Sequence, residues 1–127
     1  MARCEEGYRC AVCGADVERL SDSEIYLKYV IGELDPERLH IAPERHIRCN
    51  PVLAQFIEDP DFSPVEVTGP FARGGLDQAY REQRSRLLSA GYRRLRELEQ
   101  QGGDRDVTSY PLPSVRARWG LAEETEA

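Results

Sequence analysis

Two long stretches dominate the pattern of apolar and polar positions. Ile25 to Leu34 is apolar on nearly all sides, interrupted only by Lys28, Gly32 and Glu33. Such a run fits a buried helix or a central strand, and periodicity alone does not separate them. The preceding Ser21-Asp22-Ser23-Glu24 has the Ser-x-x-Glu spacing of a capping box, which favours helix. The second stretch, Leu76 to about Gln101, is the longest helical candidate. At 100° per residue Leu76, Tyr80, Leu87, Gly91, Leu95 and Leu98 form one stripe with Leu88 at its edge, and Glu82, Ser85, Ser89, Arg93 and Arg96 lie opposite. Gly102-Gly103 is a natural stop.

Shorter elements follow from local grammar. Asp35-Pro36-Glu37 reads as cap, first-turn proline and first-turn acid of a helix to about His40. Ala42-Pro43-Glu44 repeats the pattern ahead of His46 and Cys49. Asn50-Pro51 opens a short amphipathic helix from Val52 to Glu58, with Leu53, Phe56 and Ile57 on its apolar face. Three prolines and three glycines make 59–75 a connector. The tail 104–127 holds Pro111, Pro113, an apolar piece around Trp119 and an acidic end, and is expected to be partly ordered. The expected fold class is α+β, mainly helical. Its parts are a front module over 1–62, a connector and long amphipathic helix over 63–103, and the tail.

Composition sharpens this picture. The 127 residues correspond to one domain, yet only 28 of them are Ile, Leu, Val or Phe. A core this thin benefits from an added constraint such as a metal. No run of 18 apolar residues exists to span a membrane, and no apolar stretch follows Met1 as in a secretory signal. A cytoplasmic setting is expected, where cysteines serve metals or chemistry rather than disulfides.

The cysteines supply the candidate chemistry. Cys10-Ala11-Val12-Cys13-Gly14 has the form of a knuckle, a turn that aims two sulfurs at one ion while Gly14 takes the positive φ that closes it. After 32 intervening residues comes His46-x-x-Cys49, just before the helix start at Pro51. Two pairs at this spacing give four soft or borderline ligands, the number tetrahedral zinc requires. Over about 10–58 the arrangement resembles the treble-clef and zinc-ribbon class of zinc fingers, although the insert at 21–40 replaces their simple hairpin. The competing readings are a redox Cys-x-x-Cys or unconnected structural thiols. Cys4 or His40 could each replace His46 as ligand. A catalytic zinc keeps an open position, so four ligands imply a structural site. Glu44, two residues before His46, is a possible base only if one ligand is missing. The deaminase signature fails, and there is no Walker loop, G-x-S-x-G or G-x-G-x-x-G.

Charge is uneven. The net charge of −6 sits wholly in residues 1–64, while 81–96 carries six arginines against Glu82 alone. This helix face has two readings. One is a solvated surface with Glu82–Arg86 and Arg93–Glu97 pairs. The other is a contact for a partner, made by Arg81, Arg86, Tyr92, Arg93 and Arg96. Arg84 and Arg94 fall inside the apolar stripe, to cover it with their stems or meet acids of the front half. A helix over 76–101 would be roughly 40 Å long, beyond what a small module covers. A second copy of the chain, or the tail around Trp119, would then cover the stripe, and a homodimer is the favoured expectation. The expected function is a non-enzymatic, zinc-stabilised module that binds a macromolecular partner, a protein before others. Nucleic-acid binding through 81–96 is the first alternative and a zinc-dependent hydrolase the second.

Overall fold

A computed structural model describes residues 8–39, 41–101 and 107–120. It is mainly helical. Two short strands, β1 (Tyr8–Arg9) and β2 (Asp16–Val17), pair antiparallel with Tyr8 opposite Val17. Four α-helices follow: α1 (Glu24–Val30), α2 (Pro51–Ala54), α3 (Gln78–Gln101) and α4 (Pro113–Trp119). Single 3-10 turns lie between them, including Leu20–Asp22, Pro36–Arg38 and Ile47–Cys49.

The ambiguous run at 25–34 is a helix, and both its ends show why. Four donors open α1 and all four are satisfied. Ser23 N donates to Leu20 O (3.1 Å) and Tyr26 N to Ser23 Oγ (3.2 Å), while Leu27 N starts the helical ladder on Ser23 O, which makes Ser23, not Ser21, the cap. Glu24 N donates to Arg45 O (2.9 Å) and Ile25 N to Glu44 Oε1 (3.4 Å). A distant carboxylate thus does the work expected of a local one, and the Ser21 N–H goes to Glu99 Oε2 on α3 instead. The helix closes with Glu33 N on Lys28 O and Gly32 N on Tyr29 O, around Gly32 at φ +85°. This is the Schellman arrangement, in which a left-handed glycine lets two late N–H groups reach back to orphan carbonyls.

Ala42-Pro43-Glu44 starts no helix. His46 instead forms an antiparallel bridge with Ser23, and the Glu44 side chain is drawn onto the start of α1. The helix expected over 52–58 is confined to α2, after which Phe56 and Ile57 enter the core from a turn. Asp35-Pro36-Glu37 makes one 3-10 turn, with Glu37 N on Asp35 Oδ1. The long helix begins two residues after Leu76, at a start where Tyr80 N donates to Asp77 Oδ2.

The C-terminal part of the α3 stripe is covered within one chain, whereas Leu76 and Leu87 are half-buried and Tyr80 is exposed. Leu88, Gly91, Tyr92, Leu95 and Leu98 are buried, and α3 packs on α1 and on the 20–22 turn. Leu88, Leu95 and Leu98, three of the leucines expected to need the tail or a second copy, are thus buried within the chain. Residues 107–120 of the tail contribute as well. Leu112 N donates to Val30 O (3.0 Å), Tyr29 Oη to Val107 O (2.9 Å), and the Trp119 ring lies 5.8 Å from that of Tyr29. Arg94 grips the same segment through Tyr110 O and Ser109 O, and Arg84 pairs with Glu33. Both stripe arginines thus meet partners inside the chain. Gly102, Gly103 and the acidic end lie outside the described residues.

Gly91 lies where α3 approaches α1 and its C-terminal cap closely. A Cβ there would sit 2.5 Å from Ile31 Cγ2 and 3.0 Å from Leu27 Cδ1. The helices would have to separate, since a buried core does not absorb an added methyl. Gly91→Ala should therefore destabilise the protein by about 1–3 kcal/mol despite the higher helix propensity of alanine. Urea denaturation checks this, and a variant as stable as wild type would contradict the close packing.

Candidate metal centre

Cys10, Cys13, His46 and Cys49 converge. Their ligand atoms all lie within 4.8 Å of one another, close enough to hold one metal ion. These are the four residues singled out by spacing, drawn from two parts of the chain. Cys4 and His40, the alternative ligands, lie outside the described residues.

The first pair is placed by the β1–β2 turn. Cys10 N donates to Ala15 O and Gly14 N to Cys10 O (both 2.9 Å), and Gly14 sits at φ +81°. The turn aims its amides at sulfur: Val12 N is 3.3 Å and Cys13 N 3.5 Å from Cys10 Sγ. The second pair is placed by the bridge to α1. His46 precedes the Ile47–Cys49 turn, and Asn50 then caps α2 by accepting from Leu53 N. The two parts are tied directly by Ala11 N on Glu44 O (2.9 Å) and by His46 N on Cys10 Sγ (3.4 Å).

The His46 ring is oriented for ligation. Nε2 lies 3.0 Å from Asp16 O, while Nδ1 lies 3.4 Å from Cys13 Sγ and 3.8 Å from Cys49 Sγ. A carbonyl can only accept, so Nε2 carries the proton and the Nδ1 lone pair faces the sulfurs.

The electrostatics suit a cation. Cys10 is 3% exposed, and burial alone would raise its thiol. Three backbone N–H groups and His46 outweigh that and bring it down to about 5. Burial and the neighbouring sulfurs push Cys49 up to about 11. Burial works against a charged His46, but the Cys10 sulfur and the Asp16 carbonyl hold its pKa above the usual value. The pocket thus stabilises a thiolate at Cys10 and resists one at Cys49 unless positive charge is supplied. A bound metal ion supplies it.

Beneath the ligands lies a polar cluster that spacing did not reveal. Glu24 is buried, and both its oxygens accept from Arg45 (2.9 and 2.8 Å). Asn50 Nδ2 donates to the same carboxylate, and Lys28 lies 3.5 Å away. Arg45 and Asn50 each adjoin a ligand, so Glu24 anchors both ends of the His46–Cys49 segment. Glu44 accepts from Ser23 Oγ (2.6 Å), Arg45 N (2.8 Å) and Ile25 N, which commits its carboxylate to α1. The only hint in the sequence is Pro43-Glu44 just ahead of His46 and Asn50-Pro51 just after Cys49.

The arginine helix is not one continuous basic face. Arg84 pairs with Glu33, Arg93 with Asp59, Arg94 with Glu97 and Arg96 with Asp61. Tyr92, expected at a partner surface, is 3% exposed and packs against Phe62 with ring centroids 5.0 Å apart. Comparison with family models, characterised proteins and solved structures gave no match.

Glu24 gives the cluster a pH dependence. Burial raises its carboxyl, but the hydrogen bonds from Arg45 and Asn50 and the charge of Lys28 prevail and lower it below 4.5. A depressed folded pKa contributes stability that is present above the unfolded value and lost as pH falls through the folded one. Glu24→Gln should cost about 2 kcal/mol at neutral pH. It should also make the loss of stability towards acid shallower. Denaturation curves at neutral pH and near pH 3 check both.

Proposed function

We propose that Cys10, Cys13, His46 and Cys49 bind one structural zinc ion, and that the chain is a non-enzymatic module whose surface serves a protein partner. The orientation of His46 carries the zinc reading. An imidazole whose Nε2–H is held by a backbone carbonyl, with Nδ1 facing three sulfurs, is the donor geometry of a Cys₃His site. That set favours zinc over hard cations, which take oxygen ligands. A knuckle followed by a ligand pair beside a helix start also fits a treble-clef arrangement, with Cys49 two residues ahead of α2.

When bound, zinc supplies a tetrahedral cross-link between 10–13 and 46–49. The residues around it do the rest: the knuckle amides stabilise Cys10 as thiolate, and Asp16 fixes the ring of His46. With four ligands there is no position for a water molecule, so hydrolysis lacks its nucleophile. Glu44 is turned to α1 rather than to the cluster, which removes the base that a hydrolase would need. A redox Cys-x-x-Cys draws its reactivity from a helix N-terminus and an accessible thiol. Here the motif spans a strand turn and Cys10 is buried. Reduced ligands fit a cytoplasmic setting.

Protein purified without chelator should contain one zinc per chain. X-ray absorption should report three sulfurs at about 2.3 Å, one nitrogen at about 2.0 Å and no oxygen. Cys13→Ser should lower both zinc content and melting temperature, since ligand binding is coupled to folding. A metal-free protein of unchanged melting temperature would defeat the structural role. An oxygen ligand would reopen the hydrolase.

A further inference from the structure

We infer that the groove between the 55–58 turn, the 73–75 turn and the first half of α3 is a docking surface for an acidic, apolar-containing peptide segment of a partner protein. The inference rests on reading the chain as a partner-binding module and names the surface and the chemistry of its occupant.

The groove has a volume of about 490 Å³, and Arg73, Arg81, Arg86 and Arg93 contribute to its lining with Glu58 and Glu82. Its charge is not fully matched from within. Arg73 pairs with Glu58 (2.8 Å) and Arg93 with Asp59 (3.8 Å). Among the described residues, neither Arg81 nor Arg86 forms an ion pair. Arg81 donates to Arg73 O (3.5 Å), and Glu82 accepts from Gln78 (3.0 Å), so two guanidinium groups stand against one carboxylate and leave a locally positive groove on a chain of net charge −6. Guanidinium groups receive carboxylates in bidentate fashion, and such complementarity sets orientation and partner choice.

Exposed apolar side chains adjoin the groove along the chain, outside its lining. Phe71 is 63% and Tyr80 49% exposed, and each lies within two residues of an arginine of the groove. Phe71 belongs to a connector that is held firmly. The buried Gln55 side chain donates to Phe71 O (2.8 Å) and Val52 O (2.9 Å) and accepts from Arg73 N (2.8 Å). Arg73 returns a bond to Gln55 O, and the Tyr80 ring meets that of Phe56 at 6.2 Å. One buried amide thus fixes the backbone of the loop, while Phe71 and Val52, the latter 41% exposed, remain in water. Exposed aromatics on a pre-ordered loop cost little entropy on binding, which suits them to anchor a partner.

Nucleic acid fits this surface less well. A phosphate backbone gains affinity from each cation it neutralises. Here four of the six arginines of 81–96 are engaged with carboxylates of the chain, and Glu58 and Glu82 line the groove itself. A peptide can set its carboxylates on Arg81 and Arg86 and its apolar residues on Phe71 and Tyr80.

The test is selection of random dodecapeptides, displayed on phage, on the immobilised full chain purified without chelator. Enriched peptides, labelled and followed by anisotropy, are measured against wild type, Arg81→Glu/Arg86→Glu and Phe71→Ala. These substituted side chains serve no core contact, and zinc content and circular dichroism verify that each variant is folded. The expected result is peptides combining carboxylates with an aromatic or aliphatic residue. Their affinity should fall about tenfold or more in the charge-reversed variant and about tenfold in Phe71→Ala. No enrichment, or peptides that bind the variants as well as wild type, would overturn the proposal. So would a single-stranded oligonucleotide that binds this groove and is lost in the same variants. Failure with zinc present removes the surface and leaves the metal reading standing. Absence of zinc in a protein that still selects these peptides does the reverse.

Discussion

Residues Glu44, Arg45 and His46 join three parts of the chain at once. On one edge, Glu44 O takes the amide of Ala11 in the knuckle. On the other, Arg45 O and the Glu44 carboxylate take the first two amides of α1, and His46 bridges to the cap residue Ser23. The His46 ring then faces the thiols. Without this seam the start of α1 loses two of its four partners, and the two ligand pairs lose their common frame. Helix α3 depends on it indirectly, because α3 packs on α1 and on the 20–22 turn that precedes it. A metal across Cys10, Cys13, His46 and Cys49 would lock the seam from the solvent side.

The seam also explains two buried acids side by side. Glu24 is ringed by Arg45, Asn50 and Lys28, and its carboxyl falls below the ordinary range. Glu44 has only neutral donors and feels the charge of Glu24, so burial prevails and its carboxyl rises. A raised folded pKa is a stability contribution present below the unfolded value and lost as pH climbs through the folded one. The two acids therefore pull stability in opposite directions with pH. Glu44 stays because it seals a helix start that the local sequence leaves open. Arginines act in the same way elsewhere: Arg94 and Arg116 tie the tail through the carbonyls of 109–111, and Arg84 reaches Glu33.

The ligand set and the long helix were legible because their signals are local or strictly periodic. Cys10, Cys13, His46 and Cys49 follow from spacing, and the α3 stripe from 100° steps. What escaped the sequence was decided between distant segments. Ser21 and Ser23 offer the same cap chemistry, and the choice falls to Ser23 because the 44–46 segment lies against it. Ala42-Pro43-Glu44 has the grammar of a helix start, but tertiary hydrogen bonds claim its carboxylate. Tyr92 was set among the exposed arginines, yet Phe62 from the connector closes over it. The prolines at 111 and 113 suggested a poor element, whereas Pro113 serves as the first residue of α4. The length of α3 points to a further covering surface, and for Leu88, Leu95 and Leu98 the chain itself buries the stripe, with α3 packed on α1 and the 20–22 turn.

The central claim is that metal binding secures the joint between the knuckle, the 44–46 segment and α1. Hydrogen exchange at the amides of Ala11, Glu24 and Ile25, in the protein as purified and after chelation, tests it most directly. These three N–H groups donate into the 44–46 segment from the knuckle and from α1. Removal of the metal should strip their protection, and more strongly than at Leu95 in the middle of α3. Protection at these amides that survives complete metal removal would contradict the account.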